Sequence, residues 1–262
     1  MHAYGYPLEN TPFMESRGLL LEGMMSVADY TIPSLQKALT KTSKDASVNY
    51  AMTVVDLANC AGFKTYLFSN QGHIDKKNTP ITALSESKDS MGKRFIVLHF
   101  RGSHSSVCER IYDHFSRPLT GDAGKEDAYC YETTMRQTDY FPRQLDSVMK
   151  KAGESYSILY FADHGVSHNM IRGKLVMNHA NPANHHRDVP LYRVSSDDKK
   201  LVRVRARRYL SNLTEGVSAW LGVTTEQLPM PRSLFRDGDD SDEYGVLFEL
   251  QRRRNDSEKV VR

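Results

Sequence analysis

The sequence predicts an α/β protein with a doubly wound, mostly parallel central sheet flanked by helices, and three observations predict it. The apolar run Ile158-Leu-Tyr-Phe-Ala ends directly in Asp163-His164-Gly165, as a strand buried on both faces does when it delivers side chains to the carboxyl edge of a sheet. A second apolar run, Phe95-Ile-Val-Leu-His-Phe100, ends in Arg101-Gly-Ser-His104 and repeats that logic. Upstream of both, helical spacing over Asn49 to Ala61, a stop at Gly62 and the β-rich Lys64-Thr-Tyr-Leu-Phe68 form a helix, glycine and strand crossover unit.

The remaining elements follow in order. The first twelve residues are rich in turn formers and read as loop. Thr31 to Leu39 reads as a helix with Pro33 in its first turn, where a missing N–H costs nothing, and with Thr31 as its N-cap. A long helix is expected from Asp127 to Lys151, kinked or interrupted at Pro142, which removes a backbone donor. Val189 to Val194 reads as a short strand, and Ser211 to Leu221 as a helix with Trp220 on its apolar side. The charged residues from Arg252 to Arg262 read as a frayed tail. The 262 residues are expected to form one domain.

Composition is that of an ordinary globular protein, 39% apolar and 26% charged, and excludes neither an enzyme nor a binding module. The 35 basic and 32 acidic residues leave a net charge of +3, too balanced to indicate a nucleic-acid partner. No apolar run reaches the roughly eighteen residues of a membrane span. The basic run Lys199 to Arg208 reads as a solvated face on an edge strand or helix, with anionic headgroups as the alternative ligand. Asp237 to Glu243 reads as a solvated acidic loop without the spacing of a calcium site. The three cysteines give neither a disulfide framework nor a thiolate metal site, and Cys60 reads as a small core residue.

Asp163 offers a hard carboxylate and His164 a borderline imidazole, a mixture suited to zinc or manganese rather than calcium. An isolated Asp-His-Gly is more often a plain turn, so the reading rests on what else reaches the same sheet edge. Three further segments supply candidates: Ser26 before the Pro33 helix, His104 after the strand ending at Phe100, and His179 in Val176-Met-Asn-His-Ala180. His168, His185 and His186 are alternatives to His179, while His2, His73, His99 and His114 have no supporting context.

These segments resemble the phosphoethanolamine transferases of the alkaline phosphatase and sulfatase superfamily. The similarity runs through Tyr4-Gly-Tyr-Pro7 with Thr11-Pro12, Ser26-Val-Ala-Asp-Tyr-Thr-Ile-Pro33, Gly62-Phe-Lys-Thr-Tyr-Leu-Phe-Ser-Asn-Gln71, Val97-Leu-His-Phe-Arg-Gly-Ser-His104 and Tyr160-Phe-Ala-Asp-His-Gly165. The resemblance implies a sulfatase-like fold, with Ser26 as both zinc-activated nucleophile and metal contact. It implies Asp163 and His164 as zinc ligands, and His104 and His179 as contacts to the phosphoryl oxygens or as helpers in holding a second metal. It further implies a phosphatidylethanolamine donor, a lipopolysaccharide or lipid A type acceptor, and work at the periplasmic face of a bacterial inner membrane. One departure qualifies these implications. The family's first strand, with a Gly-Glu-Ser segment whose Glu binds zinc, is expected to lie before Met1, which leaves a gap or exposed edge in the sheet. A catalytically impaired remnant is therefore the alternative, beside a metal-dependent phosphate or sulfate ester hydrolase. Against a sulfatase, no Cys- or Ser-x-Pro-x-Arg stands at the nucleophile position.

Overall fold

Leucines at 19, 20 and 21 start the strand around which the protein is built, β1 (Gly18–Met25). A computed structural model describes residues 1–41, 52–70, 92–115, 126–172, 174–178 and 186–240. Leu20 packs with Ala3, Met14, Tyr192 and Val194 on one face of β1, and Leu21 and Met24 pack with Ala38, Val54, Ala58 and Leu213 on the other. The strand is thus buried on both faces, with helical layers above and below it. One layer holds α2 (Thr31–Ala38), α3 (Val54–Cys60) and, near the end of the chain, α5 (Leu213–Leu221). The other holds the short α1 (Pro12–Ser16) and the 27-residue α4 (Glu126–Ala152).

The main sheet is completed by β4 (Ser157–Phe161), β7 (Leu191–Ser195) and β8 (Leu201–Tyr209), in the order β4-β7-β1-β8. β7 runs antiparallel to both β1 and β4, so β1 and β4 run parallel and present their carboxyl ends at the same sheet edge. β8 pairs parallel with β1, and β2 (Lys64–Ser69) pairs parallel with β3 (Arg94–His99). A β5–β6 hairpin (Ser167–Ile171, Lys174–Asn178) stands apart. The expected α/β architecture is present, and its described ladders are mixed, with parallel β1–β8 and β2–β3 beside three antiparallel pairs.

β3 and β4 face each other across a gap. β3 pairs only with β2 and β4 only with β7 among the described strands, and every residue of both lines one cavity of about 1880 Å³. Arg94 and Glu154 form an ion pair at the amino ends of the two strands, and His99 and Asp163 lie within electrostatic reach at the carboxyl ends. The gap therefore runs the length of two parallel open edges, roofed by Leu35 and Val54 and floored by Phe141 and Leu145.

Several sequence expectations are corrected. α4 is a single helix through Pro142, which is buried within it. Its buried Asp139 accepts the Phe13 and Met14 amides at 2.8 and 2.9 Å and so caps α1; burial raises this carboxyl's pKa and the two bonds oppose the rise. Cys60 is exposed, and Cys108 and Cys130 form a disulfide because α4 brings their Cα atoms within 4.9 Å across 22 residues of sequence. The basic run is the edge strand β8, yet Arg208 is fully buried. Its guanidinium donates to the carbonyls of Leu234, Arg207, Gly238 and Arg236. Asp240, expected in a solvated loop, is buried as well and accepts from Asn212 at 2.5 Å. β1 was not foreseen: Gly18 and Gly23 break its apolar run, and the structure requires both. Gly23 sits at φ 113 in the bulge opposite β8, where a Cβ would lie 2.7 Å from the Ala206 carbonyl. Gly18 sits at φ 106 with its Cβ position 2.4 Å from the Arg193 carbonyl. Gly18→Ala is expected to lose about 2–5 kcal/mol by denaturant titration, from left-handed strain and overpacking. A loss under about 0.5 kcal/mol would contradict this account of β1.

Candidate functional site

Each strand ending at the shared edge hands over to a loop that carries chemistry. After β1, the Ser26 amide donates to the Arg187 carbonyl at 2.7 Å, which fixes the start of the loop leading to α2. Ser26 is 4% exposed; its hydroxyl donates to the Ala28 carbonyl at 2.5 Å and accepts weakly from the Ala28 amide at 3.3 Å. This local turn is typical of serine, and it parks the oxygen against backbone. Asp29 follows in the same loop, with a buried Oδ1 that has no hydrogen-bond partner and lies 4.0 Å from Arg187 Nε.

After β4, Asp163 Oδ1 accepts the His164 amide at 3.0 Å, and Ser34 of α2 donates to the Asp163 carbonyl at 2.6 Å. His164 Nδ1 lies 2.7 Å from the Gly165 carbonyl. A carbonyl only accepts, so Nδ1 carries the hydrogen, and in the neutral ring Nε2 is left as acceptor. That Nε2 lies 3.1 Å from the Thr31 hydroxyl and 3.6 Å from Asp163 Oδ2. Thr31 is therefore not the helix cap expected from sequence. Tyr30 holds that position without a side-chain bond, and Thr31 turns inward to the histidine.

His186 forms the back wall. It is fully buried, stacks on His164 at 6.0 Å between ring centroids, and places Nδ1 2.9 Å from Ser167 Oγ and Nε2 3.5 Å from the Asp29 carbonyl. After β3, His99 faces Asp163; burial lowers its pKa and the carboxylate partly opposes this, which favours the neutral imidazole. His104 lies beyond it, with Nδ1 3.1 Å from Ser105 Oγ.

The structure thus brings Asp163, His164, His104 and Thr31 onto one cavity. Ser26 does not line that cavity; it sits one loop behind, linked to it through Asp29, His186 and Thr31. His179 and His185 lie outside the described residues, whereas His168 lines the cavity. His99, Asp29 and the inward turn of Thr31 were missed by sequence. His99 points into the site only because β3 ends beside Asp163, and no local pattern records that neighbour.

The donors at the end of β4 fit part of a zinc-type site: one carboxylate and one imidazole whose Nε2 lies 3.1 Å from the Thr31 hydroxyl, where four ligands are usual. Among the described residues, no group of three or more His, Cys, Asp or Glu is placed to hold a metal ion.

The same fold recurs in solved structures. The C-terminal periplasmic domain of EptC from Escherichia coli, in a complex with Zn, superposes with a TM-score of 0.68 at 18% identity over 90% of this chain and 82% of that one. The corresponding domain from Campylobacter jejuni gives 0.68 at 17% identity, over 95% and 89%. In sequence, the chain is similar to the phosphoethanolamine transferase OpgE of Escherichia coli K12, 29% identical over 285 residues, 95% of this chain and 53% of that protein. The chain spans about half the length of the curated relatives it matches. A family profile described as Sulfatase matches residues 77–223. With more than half of its length covered by that profile, the chain belongs to the sulfatase family.

Proposed function

We propose that the protein transfers phosphoethanolamine from phosphatidylethanolamine to an envelope glycan of the lipopolysaccharide or lipid A type, through a covalent intermediate on Ser26. The observation that carries this reading is the parallel run of β1 and β4, which brings Ser26 and Asp163-His164 to one sheet edge. In the first half-reaction Ser26 Oγ attacks phosphorus, and diacylglycerol leaves with its oxygen and takes the serine proton. In the second, an acceptor hydroxyl attacks the serine phosphodiester and its proton returns to Ser26. His104, and His179 or a neighbouring histidine in its place, stabilise charge on the phosphoryl oxygens.

Asp163 and His164 would hold a zinc ion, or as second choice manganese, and when bound the metal would supply the Lewis acidity that activates the weakly nucleophilic Ser26 hydroxyl. Rotation of Ser26 away from the Ala28 carbonyl frees its oxygen for that role. This chemistry is assigned here to the periplasmic face of a bacterial inner membrane, a reading supported by the likeness to a solved C-terminal periplasmic domain of EptC. Among the described residues no helix is long and apolar enough to cross a membrane.

A second reading, a chain that keeps the fold but turns over weakly, is favoured by the donor set among the described residues, where no group of three or more His, Cys, Asp or Glu is placed to hold a metal ion. A hydrolase of phosphate or sulfate esters shares the same edge geometry. Incubation with zinc and vesicles of phosphatidylethanolamine separates the three. Diacylglycerol release that rises when a lipid A acceptor is added supports transfer, and release unchanged by acceptor supports hydrolysis. No release at any zinc concentration supports the inactive chain.

A further inference from the structure

Several arginines of this protein have identifiable partners among the described residues. Arg208 meets four carbonyls, Arg17 pairs with Asp146, Arg193 with Asp198, and Arg203 and Arg205 with Glu22. Arg101 and Arg110, at the carboxyl end of β3, differ. The Arg101 guanidinium has no hydrogen bond or ion pair among the described residues; only its backbone amide is held, by Asn70 Oδ1 at 2.7 Å. Arg110 has a single long contact, Nη2 to the Ser105 carbonyl at 3.5 Å, and its buried Nε has no partner. The buried hydroxyl of Ser103, between them in sequence, has none either.

The two guanidiniums stand close enough to repel. After burial, the charge of Arg101 is the next largest influence pulling the Arg110 pKa down, and the exposed Glu109 only partly offsets it. Holding two like charges together over unmet donors costs free energy unless something neutralises them. The scaffold beneath is rigid. Gln137 of α4 donates to the Arg110 carbonyl and accepts the Tyr112 amide, both at 2.9 Å, and the Cys108–Cys130 disulfide staples the same turn to α4.

We propose that Arg101, Ser103 and Arg110 form a pocket for a phosphate-type oxyanion, on the wall of the cavity that also holds His104. Guanidinium forks match tetrahedral oxyanions in shape and charge, and the serine hydroxyl adds a third donor. The proposal rests on the transferase reading only for the ligand's origin, an anionic group on the substrate apart from the one transferred.

The test is titration of the full chain with inorganic phosphate and with methyl phosphate, followed by 31P NMR without turnover. Arg101→Gln and Arg110→Gln are each expected to raise the phosphate Kd about tenfold, with Arg110→Lys recovering charge but not the full affinity. Ser26→Ala and Asp163→Asn are expected to leave that Kd unchanged. Methyl phosphate binding as tightly as phosphate assigns the pocket to a phosphomonoester on a larger substrate; exclusion of methyl phosphate assigns it to free phosphate. An unchanged Kd in correctly folded Arg101→Gln and Arg110→Gln would overturn the pocket, as would loss of binding in Ser26→Ala or Asp163→Asn. Because no turnover is read, a failed transferase assay leaves this result standing.

Discussion

Ser26→Ala is expected to lower phosphoethanolamine transfer by at least about 10³-fold while leaving the fold intact, because removing a nucleophile removes the covalent route itself. Stability should change little: the hydroxyl bonds only to Ala28 backbone, and Cβ is retained. The informative companion is Thr31→Ala. The Thr31 hydroxyl lies on His164 Nε2, whereas the Ser26 oxygen is turned to backbone, so the resting geometry alone would favour Thr31 as nucleophile. If Ser26 is the nucleophile, Thr31→Ala loses no more than about tenfold, the scale of an orienting contact one step from the chemistry. The reverse pattern, with Thr31→Ala dead and Ser26→Ala active, would transfer the role to Thr31.

Asp163→Ala is expected to have the second largest effect, cutting zinc affinity by at least about 100-fold, since it removes the carboxylate beside His164. Asp163→Asn should behave similarly, because the neutral amide keeps the shape but not the charge. Isothermal titration with zinc reads both directly. Equal zinc affinity in wild type and Asp163→Ala would place the metal elsewhere.

What could be read from sequence divides along a physical line. β3 and β4 were legible because each is a short apolar run with a polar group at its carboxyl end, a purely local signal. β1, the strand that places Ser26, was not. Its two glycines look like breaks, yet they are required by the Arg193 and Ala206 carbonyls, which approach from strands almost two hundred residues away. Arg208 and Asp240 read as surface charges because their composition is that of a surface; the carbonyl cage that buries Arg208 is assembled by a loop some thirty residues later. The disulfide and the His99–Asp163 approach likewise depend on packing between distant elements.

The central claim is that this sheet edge forms a covalent phosphoethanolamine intermediate on Ser26. The most direct measurement is peptide-mapping mass spectrometry of the chain quenched after incubation with zinc and phosphatidylethanolamine, without acceptor. A phosphoethanolamine adduct on Ser26, absent in Ser26→Ala and discharged when a lipid A acceptor is added, is the expected result. An adduct on any other residue, or diacylglycerol release with no adduct at all, would contradict it.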